Sequence, residues 1–117
     1  MLKVVIAGGR DFDDFELMEE KLDSLLQNYD HRDIEIVCGC SRSIDKLGEK
    51  YALKNNMETS HFVSNKEFGK RSVYLKNEEI AKYSDCLVAF WDGKSKGTEM
   101  MVNLAKRNDL KIRIIEY

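Results

Sequence analysis

Three short segments combine glycine, hydroxyl and charged residues in spacings suited to holding a phosphate-bearing ligand. In Gly8-Gly9-Arg10-Asp11 the paired glycines let backbone N–H groups come close to an anion, and Arg10 offers a planar two-donor fork for phosphate. The same residues also read as a plain tight turn with a surface arginine, because the run is not G-x-G-x-x-G. Gly93-Lys94-Ser95-Lys96-Gly97-Thr98 gives the stronger signal. A helix expected to start at Thr98 would set its N-terminus beside two glycines and the Ser95 and Thr98 hydroxyls, an arrangement that suits an anion. The glycines stand too close for a P-loop and no lysine directly precedes Thr98, so ATP hydrolysis is not expected. The plainer alternative is that Thr98 caps the helix and both lysines are solvated.

The third segment is Gly39-Cys40-Ser41-Arg42-Ser43-Ile44-Asp45. Ser41 and Ser43 can hydrogen-bond a ligand there, and Asp45 can accept from a ribose hydroxyl or serve as a first-turn carboxylate favoured by the helix dipole. A nucleophilic Cys40 would need its thiol pKa lowered by the helix start, and no sequence neighbour supplies a base. Trp91 either stacks on a base or closes the end of the sheet, and Asp92 either binds ligand or starts a turn.

These segments fall where strands should hand over to helices. Leu2 to Ala7 reads as a central strand covered on both faces, ended by Gly8 and Gly9. A helix begins near Asp13 or Asp14, with Phe15, Met18, Leu22, Leu25 and Leu26 on one face. Asp33 to Cys38 is the second strand, and Ile44, Leu47, Tyr51 and Ala52 mark the buried stripe of the next helix. A weak third strand spans Glu58 to Val63. The helix that ends near Tyr83 sets Val73, Ile80 and Ala81 on one face with Asn77, whose polar side chain there needs a partner. Cys86 to Phe90, Thr98 to Arg107 and Lys111 to Ile115 complete a βαβαβαβαβ count.

That alternation predicts a Rossmann-like, doubly wound α/β domain with five parallel strands in the order 3-2-1-4-5 and helices on both faces. The crevice then opens between strands one and four, with the three segments around it. The 117 residues suit one domain without a linker.

Composition narrows the partners. A net charge of −2 provides no long-range field for a polyanion, so nucleic acid is an unlikely partner. No apolar run approaches a membrane span and nothing resembles a signal peptide, so a cytoplasmic location is expected. Cys38, Cys40 and Cys86 are an odd number and read as reduced thiols, Cys38 and Cys86 as core residues. Neither His31 nor His61 stands in ligand spacing with a cysteine, so no metal is expected. No cofactor is assigned, and a homodimer or higher homo-oligomer is left open.

Gly8 to Phe12, Gly39 to Leu47, Lys76-Asn77-Glu78-Glu79-Ile80 and Val88 to Thr98 together resemble the YspA-like branch of the SLOG superfamily, named after the SMF/DprA and LOG proteins. The resemblance implies a Rossmann-like fold and binding of nucleotides or nucleotide-derived signals, with Arg42, Asp45, Lys76 and Asn77 among the site residues. Two positions depart from the pattern. Cys40, Ser41 and Ser43 stand in a loop that usually reads Gly-Ala-Arg-Gly-Ala-Asp, and Lys76 replaces an arginine, losing its two-donor grip on phosphate. The LOG relatives hydrolyse a nucleotide N-glycosidic bond with a glutamate one turn after the threonine. Here that position is Met101, and Glu99 projects roughly 200° away around a helix.

The leading expectation is therefore a module that binds a nucleotide-like small molecule, phosphate on the glycine loops with Arg10, and ribose or base read by Asp45 or Asn77. The first alternative is a LOG-like phosphoribohydrolase with Glu99 or Asp45 stabilising the oxocarbenium. The second is DprA-like binding of single-stranded nucleic acid, which would want a basic groove and stacking aromatics.

Overall fold

The structure, a computed structural model, describes residues 1–117. Its elements run β1 (Leu2–Gly8), α1 (Phe15–Leu25), β2 (Ile34–Cys38), α2 (Arg42–Lys54), β3 (Glu58–His61), α3 (Ser72–Tyr83), β4 (Cys86–Trp91), α4 (Lys96–Arg107) and β5 (Lys111–Glu116). All four strand pairings are parallel, and the order is β3-β2-β1-β4-β5, as the sequence pattern predicts.

Period-two alternation divides the core between the two faces of the sheet. Val4 and Ile6 of β1 pack with Ile34 and Ile36 of β2 beneath α1 and α2, whose Met18, Leu22, Ile44 and Tyr51 are buried on them. Val5 and Ala7 point the other way, to Ile80 and Ala81 of α3 and Met101, Leu104 and Ala105 of α4. Each fully buried aliphatic side chain contributes about 1.5–3 kcal/mol, so a strand buried on both faces anchors the domain. Polar tethers then fix the helices. The Asp14 carboxylate caps α1 by accepting the Leu17 N–H at 3.0 Å, and the Tyr51 hydroxyl of α2 donates to Asp23 of α1 at 2.8 Å.

Several expected details move. Asp33 lies in a 3-10 turn before β2, and β3 stops at His61, so Phe62 and Val63 fall outside the sheet. β4 runs one residue further, through Trp91. Val73 is 48% exposed and does not share Asn77's burial. Cys86 is half-buried at the margin of the core rather than within it.

α4 begins at Lys96, two residues before the expected Thr98, because Ser95 is its cap. The Ser95 hydroxyl accepts the Thr98 N–H at 3.4 Å, and its carbonyl accepts the Glu99 N–H at 3.1 Å. The serine three residues upstream outcompetes the threonine as cap because its backbone is extended, with φ −60° and ψ 116°.

Candidate ligand-binding site

The three loops at the carboxyl ends of β1, β2 and β4 converge, and hydrogen bonds within and between them fix their shapes. Asp92 accepts the N–H groups of Lys94 and Ser95 at 2.8 and 2.9 Å, which holds its carboxyl below the usual carboxylate range. Asp92 thus starts a turn, and Gly93 completes it at φ +83°, a conformation other residues seldom adopt. The Trp91 indole donates to the Ser95 carbonyl at 3.0 Å and pins the same loop from beneath. Between loops, the Ser43 hydroxyl donates to the Arg10 carbonyl at 2.9 Å.

The loop after β2 depends on Asp45. Its carboxylate accepts the Gly39 N–H at 2.9 Å, and burial pushes its pKa up against the Gly39 and Cys40 amides, which hold it down. Gly39 sits at φ +142°, and a Cβ there would meet the Phe62 carbonyl oxygen at 2.7 Å. Asp45 is therefore committed to the turn and lines none of the cavities described below.

A cavity of about 170 Å³ lies where β1, the β2 loop, α3 and α4 meet. Gly8, Arg10, Ser41, Asn77, Ser95 and Thr98 line it, with Gly97 at the same wall. Two of these groups are unusual. Asn77 is 3% exposed, and its Oδ1 has no hydrogen-bond partner. Ser41 occupies the N-cap of α2 yet makes no capping bond, and its buried Oγ is also unpaired. Buried polar atoms are nearly always paired, and of the three that are not, Asn77 Oδ1, Ser41 Oγ and Ser84 Oγ, the first two belong to residues that line this one cavity.

Two polar depressions share Arg10 with the cavity. One, lined by Gly9, Asp11, Asp92, Lys94 and Lys96, lies at the start of α4. Ser95 takes the Thr98 N–H, which leaves the first-turn N–H groups of Lys96 and Gly97 outside the helical ladder. The other holds Arg42, Ser43 and Lys76. Arg10 is the cation common to all three spaces. The structure thus brings together Gly8, Gly9, Arg10, Asp11, Ser41, Arg42, Lys76, Asn77, Asp92, Ser95, Gly97 and Thr98, while Gly39, Asp45, Trp91 and Gly93 shape the loops from outside.

Cys40 is a wall of the cavity and not an activated nucleophile. Burial pushes its thiol up to about 12, nearby Asp45 adds to the rise, and Lys76 opposes it. Met101 is 1% exposed and lines the cavity, whereas the exposed Glu99 lies in a different depression with Asn103 and Arg107. Tyr117 went unanticipated. Its hydroxyl donates to Asp11 at 2.8 Å across the first loop, and its pKa rises to about 12, chiefly by burial and then by that bond. No local sequence signal announces a contact between opposite ends of a chain.

A model of the YspA, cpYpsA-related SLOG family matches residues 2–67, a stretch that contains the loops after β1 and β2. The chain belongs to that family. Among solved structures, DNA processing protein A from Streptococcus pneumoniae resembles this SLOG-family chain at TM-score 0.73 and 16% identity, over 100% of this chain and 51% of that one. The chain therefore spans about half the length of that neighbour. A predicted subunit of tRNA methyltransferase from Methanocaldococcus jannaschii resembles it at TM-score 0.51 and 12% identity, over 97% of this chain and 67% of that one. At such identities the likeness is one of fold. No curated protein sequence matches the chain. No helix is long and apolar enough to cross a membrane.

Proposed function

We propose that this SLOG-family protein binds a nucleotide or nucleotide-derived phosphate ligand at the carboxyl ends of its strands, and that it acts as a binding module or sensor. One observation carries the reading: Asn77 and Ser41, whose side-chain oxygens are buried without partners, both line one cavity. An unsatisfied buried polar atom costs about 1–3 kcal/mol, and a ligand hydroxyl or amino group recovers it on binding. Asn77 Oδ1 accepts that donor, from ribose or base. Arg10, Lys94 and the free N–H groups at the start of α4 take the phosphate.

Support for hydrolysis of an N-glycosidic bond is weaker. At the place of the relatives' glutamate, Met101 brings a thioether to the cavity, which cannot stabilise a developing oxocarbenium, and Glu99 is not in its wall. Long incubations with nucleoside monophosphates should release no free base on chromatography. Release that disappears in Glu99→Gln would make the protein a hydrolase.

The likeness to DNA processing protein A favours a second reading, a grip on single-stranded nucleic acid by the same loops. The net charge of −2 counts against it. Mass spectrometry of small molecules released from purified protein, with a fluorescence binding assay on labelled single strands, separates the two. A released nucleotide derivative and no strand binding is the expected result. The reverse outcome would replace the first reading with the second.

A further inference from the structure

We propose that Cys38, Glu49 and His61 form a site for one divalent, thiophilic cation of the zinc class. Their ligand atoms, one from each residue, all lie within 4.8 Å of one another. Three elements supply them. Cys38 ends β2 and His61 ends β3, and the two are partners in the parallel register, so their side chains leave the same face of the sheet. Glu49 comes down from α2, one helical turn after Asp45, whose bond to the Gly39 N–H holds that helix over the strand ends. No spacing rule reveals such a set, because sheet register rather than sequence distance brings the residues together.

Thiolate, imidazole and carboxylate are the donors that tetrahedral zinc sites use, and three protein ligands leave a fourth position for water or another group. Metal–ligand bonds of about 2.0–2.3 Å imply donor separations near 3.3–3.7 Å in a tetrahedron. His61 Nε2 and Glu49 Oε1 now stand 2.6 Å apart in a hydrogen bond, so an entering cation must part them slightly and draw them toward the sulfur. Their side chains are 50% and 47% exposed and free to turn, while Cys38 is buried and serves as the fixed point. The free thiol is protonated, so binding exchanges ions: the S–H bond breaks, an S–metal bond forms and the proton leaves to solvent. None of the three residues lines the cavity with Asn77 or the two polar depressions beside it, so this site stands or falls apart from the proposed ligand site.

The test is a titration of the chelator-treated, reduced protein with cobalt(II) alone, read by thiolate-to-cobalt charge-transfer absorption. The expected curve saturates at one ion per chain and is reversed by zinc. Cys38→Ser should abolish the band, and His61→Ala should weaken binding by at least about tenfold. Because Cys38 is buried in the core, circular dichroism checks the fold of its variant, and the exposed His61→Ala and Glu49→Gln variants, both expected to weaken the band, carry the decision. A folded wild type with no charge-transfer band overturns the proposal. So does a band whose affinity is unchanged in His61→Ala, which would assign the sulfur to Cys40 or Cys86.

Discussion

The carboxylate of Asp45 accepts the backbone N–H of Gly39 at 2.9 Å, so of the two roles the sequence offers it, ribose acceptor or first-turn carboxylate, it is a structural bond in the turn from β2 into α2 that the fold displays. Asp45→Ala leaves a buried N–H unpaired and should cost about 1–3 kcal/mol. In a domain of this size that lowers Tm by roughly 4–8 °C per kcal/mol. Asp45→Asn keeps an acceptor and should recover most of the loss. Urea unfolding of both variants checks this, and an Asp45→Ala protein of full stability that no longer responds to ligand would return Asp45 to the binding site.

Arg10 is exposed, and its backbone carbonyl, not its guanidinium, makes the contact with Ser43. Arg10→Ala should therefore leave the stability of the free protein within about 0.5 kcal/mol of wild type, the usual range for a surface substitution. The same change should shrink the rise in Tm produced by nucleoside phosphates, because the cation shared by all three spaces is gone. Differential scanning fluorimetry reads both quantities in one experiment. A free variant that melts far below wild type would make Arg10 structural.

Cys40 should be a slow thiol. With its pKa at about 12 against an ordinary 9.0, alkylation by iodoacetamide near neutral pH should run on the order of 100- to 1000-fold slower than in the unfolded chain. Peptide mapping by mass spectrometry locates the adduct. The same shift has a stability consequence whose sign is fixed. Between pH 9.0 and about 12 the unfolded chain has lost a proton that the folded chain keeps. Stability therefore falls as pH rises through that window, and Cys40→Ala should flatten the fall. Rapid modification of Cys40 in the native protein would contradict the burial argument.

Much of the fold was legible in the sequence because hydrophobic period reports it directly. Leu2 to Ala7 reads as a strand covered on both faces and is buried from Val4 onward, and the apolar stripes of α1 and α2 pack on the core. The loops were harder, since their residues choose between binding a ligand and binding one another. Trp91 binds the loop through the Ser95 carbonyl, and Asp92 bonds the Lys94 and Ser95 N–H groups while still lining the depression at the start of α4. Ser95 took the capping role expected of Thr98 because backbone geometry, not residue type alone, decides a cap. Asn77 could be picked out as a polar residue on an apolar face. That its carbonyl oxygen lacks a partner is a property of the packed cavity, and so is the meeting of Cys38, Glu49 and His61.

The central claim is that the cavity holds its polar groups unpaired for a ligand, and Asn77→Leu tests it most directly. Leucine has nearly the same shape and no acceptor, so the free protein should melt at or above the wild-type Tm once the orphan is removed. The stabilisation that a panel of nucleotides and nucleoside phosphates at millimolar concentration gives the wild type should largely disappear. A protein gaining stability while losing its ligand response is the signature of a polar group kept for binding. If Asn77→Leu instead unfolds at markedly lower temperature and still responds fully to the same compounds, Asn77 is structural and the ligand-site account is wrong.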